Sequence, residues 1–267
     1  MDFVVLPYVI VFILGAVLGS FLNVCIVRMP KEESLISPGS HCPNCGTPIR
    51  FYDNIPLLSY LALRGKCRAC GVIIAPRYFF VELIAAVMAV GLLHVFGFGF
   101  AFLVNAVFVA ALIVIAFIDL DVRIVPDVIS LPGIALGLIV AVINGWAIPE
   151  AAEAIPSPLS SFLGIIIGGG ILLAVAWGYQ FIAGVEGMGG GDVKLLAMIG
   201  AFLGWPSVPL TLFFASLGGA VIGLGLMATK GVGGKYALPF APFLCLGAVV
   251  YVFFGREIVA FYAALPS

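Results

Sequence analysis

Charge is what this chain has least of. Asp, Glu, Lys and Arg make up 9% of its 267 residues, while 63% are hydrophobic; an ordinary soluble domain carries about 25% charged residues. No folded core could hide so much apolar surface from water, so the solvent for most of the chain is lipid. A basic leader segment is also lacking. The first apolar run, Phe3 to Val27, has no basic residue ahead of it and is too long for a cleavable signal peptide. It reads instead as a spanning helix that runs into Arg28. The net charge of −1 carries no nucleic-acid signal, and no nucleic-acid partner is expected.

What charge there is sits unevenly. Arg28, Lys31, Arg50, Arg64, Lys66, Arg68 and Arg77 crowd into residues 28–77, with only Glu32, Glu33 and Asp53 beside them. This basic window lies between spans, so its neighbours are anionic headgroups and the cytoplasm. A helix needs about 20 apolar residues to cross a bilayer. By that measure residues 3–27, 78–96, 101–120, 128–149 and 159–183 each make a span, with the second and third divided at Phe96-Gly97-Phe98-Gly99-Phe100. Gly204-Trp205-Pro206 splits residues 195–229 into a short sixth helix and a longer seventh, and Tyr236 opens the eighth.

The positive-inside rule agrees with eight spans. It puts the 28–77 loop, Arg123, Lys194, Lys230 and Lys235 in the cytoplasm, and leaves only Arg256 outside. The loop with Glu150 and Glu153 and the N-terminus then lie outside. The expected fold is an all-α polytopic membrane protein of about eight helices with a small cytoplasmic loop domain. Its parts are a first helix at 1–27, the loop at 28–77 and a seven-helix membrane domain at 78–267.

Four of the six cysteines read Cys42-Pro-Asn-Cys45 and Cys67-Arg-Ala-Cys70. Two such turns can close a four-sulfur tetrahedral zinc site, which has no open position and is therefore structural. Two disulfides are the alternative, disfavoured by a reducing cytoplasm. A polar loop of this size has few large apolar groups, and a metal can supply its folding energy. Cys25 and Cys245 lie in apolar runs and read as small buried side chains. His41 and His94 receive no role.

The remaining acids that matter are aspartates at span ends: Asp119, Asp121, Asp127 and Asp192. An ionisable group at membrane depth is costly and usually marks a site. Two carboxylates brought together share a proton, so one acts as general base on water while the other polarises a scissile carbonyl. Asp119 and Asp192 are the candidate pair, although 73 positions separate them and spacing cannot show that they meet. The glycines of Gly187-Met-Gly-Gly-Gly191 would let an extended peptide come close. Plainer readings stay open: Asp192 and Asp127 as helix caps, and Asp121 as a solvated neighbour of Arg123.

Several segments together resemble the bacterial type IV prepilin peptidases, within the wider group of membrane Gly-x-Gly-Asp aspartyl proteases. They are Gly19-Ser-Phe-Leu-Asn-Val24 with Arg28-Met-Pro30, the loop from Cys42 through Asp53-Asn-Ile-Pro56 to Gly65-Lys-Cys67, Ile118-Asp119 to Pro126-Asp127, Gly187-Met-Gly-Gly-Gly-Asp192-Val-Lys194, and Leu238-Pro-Phe240 with Pro242-Phe243. The resemblance implies that Asp119 and Asp192 are catalytic and that prepilin and pseudopilin leaders are cut after a glycine at the cytoplasmic face of the inner membrane. It also implies N-methylation of the new terminus from S-adenosylmethionine, associated with the four-cysteine loop. The sequence holds no Rossmann-type glycine fingerprint for that donor. Two departures stand out: Phe in place of a usual Pro within Arg77-Tyr-Phe79-Phe80-Val-Glu82, and Ala241 in place of a usual Gly. A transporter would also place carboxylates in a membrane, but here they gather at one face, with no inverted repeat. A peptidase whose cysteine loop only docks partners is the nearer alternative.

Overall fold

The computed structural model describes residues 2–147, 154–184, 189–230 and 238–264. Nine helices follow one another among them: α1 (Asp2–Arg28), α2 (Leu58–Ala62), α3 (Arg77–Phe96), α4 (Phe100–Val122), α5 (Asp127–Ala147), α6 (Pro158–Ala183), α7 (Gly190–Leu203), α8 (Ser207–Lys230) and α9 (Ala241–Ala263). No strand forms among the described residues, only two isolated bridges in the loop after α1. The all-α expectation holds, and the breaks fall where glycine and proline punctuate the apolar runs. Gly97 in the left-handed region ends α3, and Gly204 ends α7.

The expectation of about eight membrane helices holds. Among the described residues seven helices are long and apolar enough to cross a membrane; α7, the short sixth helix expected from the sequence, has 14 residues. At 1.5 Å per residue it covers about 21 Å, short of a hydrocarbon core of about 30 Å. The long helices also carry exposed apolar side chains, such as Leu103 (62%) and Phe213 (60%), which only lipid would cover. The chain is a multi-pass membrane protein. Glu150, Glu153, Gly187, Met188, Lys235 and Tyr236, all used in the sequence reading, lie outside the described residues.

The chain divides into two compact units, residues 1–98 and 99–267. In the first, α1 and α3 pack antiparallel: Gly15 lies against Ala86, and Gly19 against Glu82. The four-residue glycine spacing is the small-residue ridge that lets membrane helices approach closely. The loop between them is pinned at its start by Arg28, whose guanidinium donates to Ser34 O at 2.8 Å and Pro38 O at 2.6 Å.

In the second unit α7 is the central helix, buried without interruption from Leu195 to Phe202. Gly133 and Gly137 of α5 meet Met198 and Ala201 of α7, while Gly164 and Gly168 of α6 meet Gly200 and Leu196. α6 and α7 are therefore antiparallel neighbours. Trp205 N–H donates to Ser160 O at 3.1 Å, which levels the end of α7 with the start of α6. The opposite ends do not match. From Gly168, α6 continues to Ala183 for about 22 Å, whereas from Leu196, α7 reaches back to Gly190 for only about 9 Å.

Candidate functional site

Asp119 lies in the last turn of α4 and is 5% exposed. The helix stops just beyond it because Arg123 turns left-handed and returns its N–H to Asp119 O at 2.9 Å. The Asp119 carboxylate accepts a hydrogen bond from the backbone N–H of Ala241, one of the free donors at the start of α9. Pro242 follows directly, at a position where a helix tolerates the missing N–H. The other polar atom, Oδ2 of Asp119, is buried without a hydrogen-bond partner. A buried carboxylate oxygen in that condition is costly and rare, and it suits a group that receives water or substrate.

Asp192 occupies the first turn of α7, half-buried. It does not cap the helix: Gly189 is the N-cap, and no side chain makes a cap bond there. Gly191 carries the turn hard against Val125 of the α4–α5 connection, where an added Cβ would stand 2.9 Å from the Val125 side chain. That close approach brings the start of α7 to the end of α4. The first turn of α7, which carries Asp192, thus lies against the connection that begins just after Asp119, and Cys245 of α9 is buried. Asp121 is exposed on the rim. Asp127 opens α5 as expected, and its carboxylate pairs with Lys194.

The cysteines form the second constellation, in the first unit. Each pair lies in a knuckle of the same design. Gly46 N–H donates to Cys42 O and Gly71 N–H to Cys67 O, both at 2.9 Å, while Cys42 and Cys67 reach forward to Thr47 O and Val72 O. Gly46 and Gly71 have φ of 68° and 69°, a backbone conformation glycine adopts without penalty. All four sulfurs are free thiols within 4.8 Å of one another, so the two-disulfide alternative is not the arrangement adopted. A tetrahedral ion with bonds of about 2.3 Å separates its sulfurs by roughly 3.8 Å; Cys42 and Cys70 Sγ stand 3.9 Å apart. The cluster could hold a metal ion. The Thr47 hydroxyl, 3.2 Å from Cys45 Sγ, and the Thr47 backbone N–H bring this thiol down to about 6. Beside the knuckles, the Arg68 guanidinium grips both oxygens of Asp53 at 2.6–3.0 Å and holds that carboxyl below its usual range.

Two family models match the chain in order: the bacterial peptidase A24 N-terminal domain over residues 13–96, and the type IV leader peptidase family over residues 106–224. Among curated proteins, a prepilin leader peptidase/N-methyltransferase of Pseudomonas putida is 36% identical, covering 93% of this chain and 91% of its own length. Proteins of the same name from Aeromonas hydrophila (33% identical, 96% and 94% covered) and Pseudomonas aeruginosa (34%, 94% and 91%) match along nearly the same extent. The chain belongs to the type IV leader peptidase family. No solved structure matches it.

In this leader peptidase family member, the peptidase model covers both Asp119 and Asp192, and the N-terminal model covers all four cysteines. Reading the sequence missed three contributors to these sites. The Ala241 N–H carries no side-chain signal, though Pro242 marks the helix start. The Asp127–Lys194 pair joins positions 67 apart and leaves no local trace. Gly46 and Gly71 were legible, since Cys-x-x-Cys-Gly occurs twice.

Proposed function

We propose that this chain is a membrane aspartyl endopeptidase that removes leader peptides from type IV prepilins and pseudopilins, and that it N-methylates the terminus so exposed. Asp119 and Asp192 are the catalytic pair. What supports this is the contact of Gly191, beside Asp192, with Val125, six residues after Asp119, together with the partnerless Oδ2 of Asp119. Two adjacent carboxyl groups hold one proton between them. The ionised member takes a proton from water, whose oxygen attacks the scissile carbonyl carbon. The protonated member donates to the carbonyl oxygen. When the tetrahedral intermediate collapses, the carbon–nitrogen bond breaks and the departing amine takes a proton from the pair. The Ala241 N–H fixes the orientation of Asp119, and Gly191 lets the start of α7 reach it.

Cys42, Cys45, Cys67 and Cys70 would hold a zinc ion with four protein ligands, which organises the 28–77 loop and takes no part in bond making. That loop is the methyl-transfer part, with S-adenosylmethionine as the methyl-donating substrate. The loop and both aspartates belong, in this reading, to the cytoplasmic face of the inner membrane, with the N-terminus outside; the distribution of Lys and Arg supports it. Incubation of the membrane-reconstituted chain with a prepilin and S-adenosylmethionine, followed by mass measurement of the product N-terminus, tests both activities. Loss of the leader and a gain of one methyl group are expected. An intact prepilin would refute the peptidase, and a cleaved but unmethylated product would refute the transferase.

A further inference from the structure

The loop of the first unit carries large apolar side chains that no protein covers. Phe51 is 86% exposed, Ile55 46%, Leu58 66% and Leu61 61%. They fall within eleven residues and outside every span. Within α2, Leu58 and Leu61 lie three residues apart and so share one face. Tyr60 uses the other face: its hydroxyl donates to Ile74 O at 3.2 Å, and its ring packs on Phe79 at 5.5 Å. Just ahead of α2, Leu57 N–H donates to Glu82 Oε2 at 2.8 Å. Phe79 and Glu82 belong to the first turns of α3. The short helix is therefore fastened along the opening of a span, between about 3 and 8 Å beyond Arg77.

The apolar run of that span begins at Arg77, so α2 lies along its first two turns. Interfacial helices bury their apolar face about 5–10 Å into the boundary between headgroups and acyl chains. Immediately after α2 come Arg64 and Lys66, both exposed, with long stems that reach headgroup phosphates from such a position. We infer that α2, with Phe51 and Ile55, is an interfacial anchor that lays the cysteine loop on the bilayer, its apolar face among the upper acyl carbons and Arg64 and Lys66 on anionic headgroups. The loop is thereby held against the membrane surface rather than standing free in the cytoplasm. This holds whichever reaction the loop serves.

The test uses the unmodified full-length chain in vesicles that contain a phospholipid with a photoreactive diazirine near the top of its acyl chain. One set is neutral phosphatidylcholine; the other carries roughly a third phosphatidylglycerol. After illumination, labelled peptides are located by mass spectrometry. Residues 51–62 are expected to take label at least about threefold above residues 31–40, and more in the anionic vesicles. In Leu58→Ser/Leu61→Ser the labelling of this window should fall while that of the spans stays. Label confined to the spans would overturn the inference. Loss of window label on adding a prepilin leader peptide would overturn it too, by making the face a peptide groove. Equal label in both vesicle types would remove the role given to Arg64 and Lys66.

Discussion

The ammonium of Lys194 lies 2.7 and 2.8 Å from the two carboxylate oxygens of Asp127, tying the second turn of α7 to the first turn of α5. Lys194 is two residues from Asp192, and Asp127 lies two residues after Val125, which Gly191 touches. The pair is partly exposed, so its direct contribution to stability is small, about 0–1 kcal/mol. Its effect is on placement. Asp127→Asn and Lys194→Met should each lower the rate of leader removal several-fold, toward the roughly tenfold to hundredfold scale of small misplacements. The double variant should be no worse than either single one. Initial rates on a prepilin, with melting temperatures as control, decide this; additive losses would show that the two act separately.

Asp119→Asn and Asp192→Asn should each reduce leader removal by at least about a thousandfold, since an amide neither takes nor gives the shared proton. Asp121→Asn should stay within about threefold, because its exposed side chain stands outside the pair. Cleavage of a prepilin in reconstituted membranes, quantified by gel shift, reads all three. Near-normal processing by either member of the pair would end the aspartyl assignment.

Gly164 and Gly200 touch backbone to backbone, and a Cβ on either would run into the other. Gly200→Val should cost about 1–3 kcal/mol by overpacking, and should slow cleavage because α7 carries Asp192. Gly170→Ala, on the same α6 but with nothing within 4 Å of its added Cβ, should leave stability and rate unchanged. Thermal unfolding in detergent compares the two. Equal behaviour would mean that α6 and α7 are not packed at Gly164.

Removal of one sulfur should empty the metal site. Cys42→Ser is expected to lose bound zinc and the methyl transfer while leader removal continues, because the aspartates belong to the other unit. Metal analysis beside mass measurement of the product separates the possibilities. Methylation that survives zinc loss would make the loop a docking module.

Most of the architecture was legible because lipid imposes a length rule. Runs of apolar residues had to be helices, and Gly97, Gly99 and Gly204 marked their breaks at or near the observed ends. The shortness of α7 was readable from Gly204-Trp205-Pro206; that neighbouring protein, not lipid, encloses Leu195 to Phe202 was not. The pairs Gly15/Gly19, Gly133/Gly137 and Gly164/Gly168 were present as a spacing signal, but a spacing does not say which helix it meets. Asp119 and Asp192 could be nominated from their cost in a membrane. The packing of Gly191, beside Asp192, on Val125, six residues after Asp119, is a contact that only folding creates.

The unequal ends of α6 and α7 have a last consequence. With their other ends level, α6 overhangs the start of α7 by about 13 Å. The start of α7, with Asp192 in its first turn, is thus recessed relative to the end of α6, and the last turns of α6 have no part of α7 alongside them.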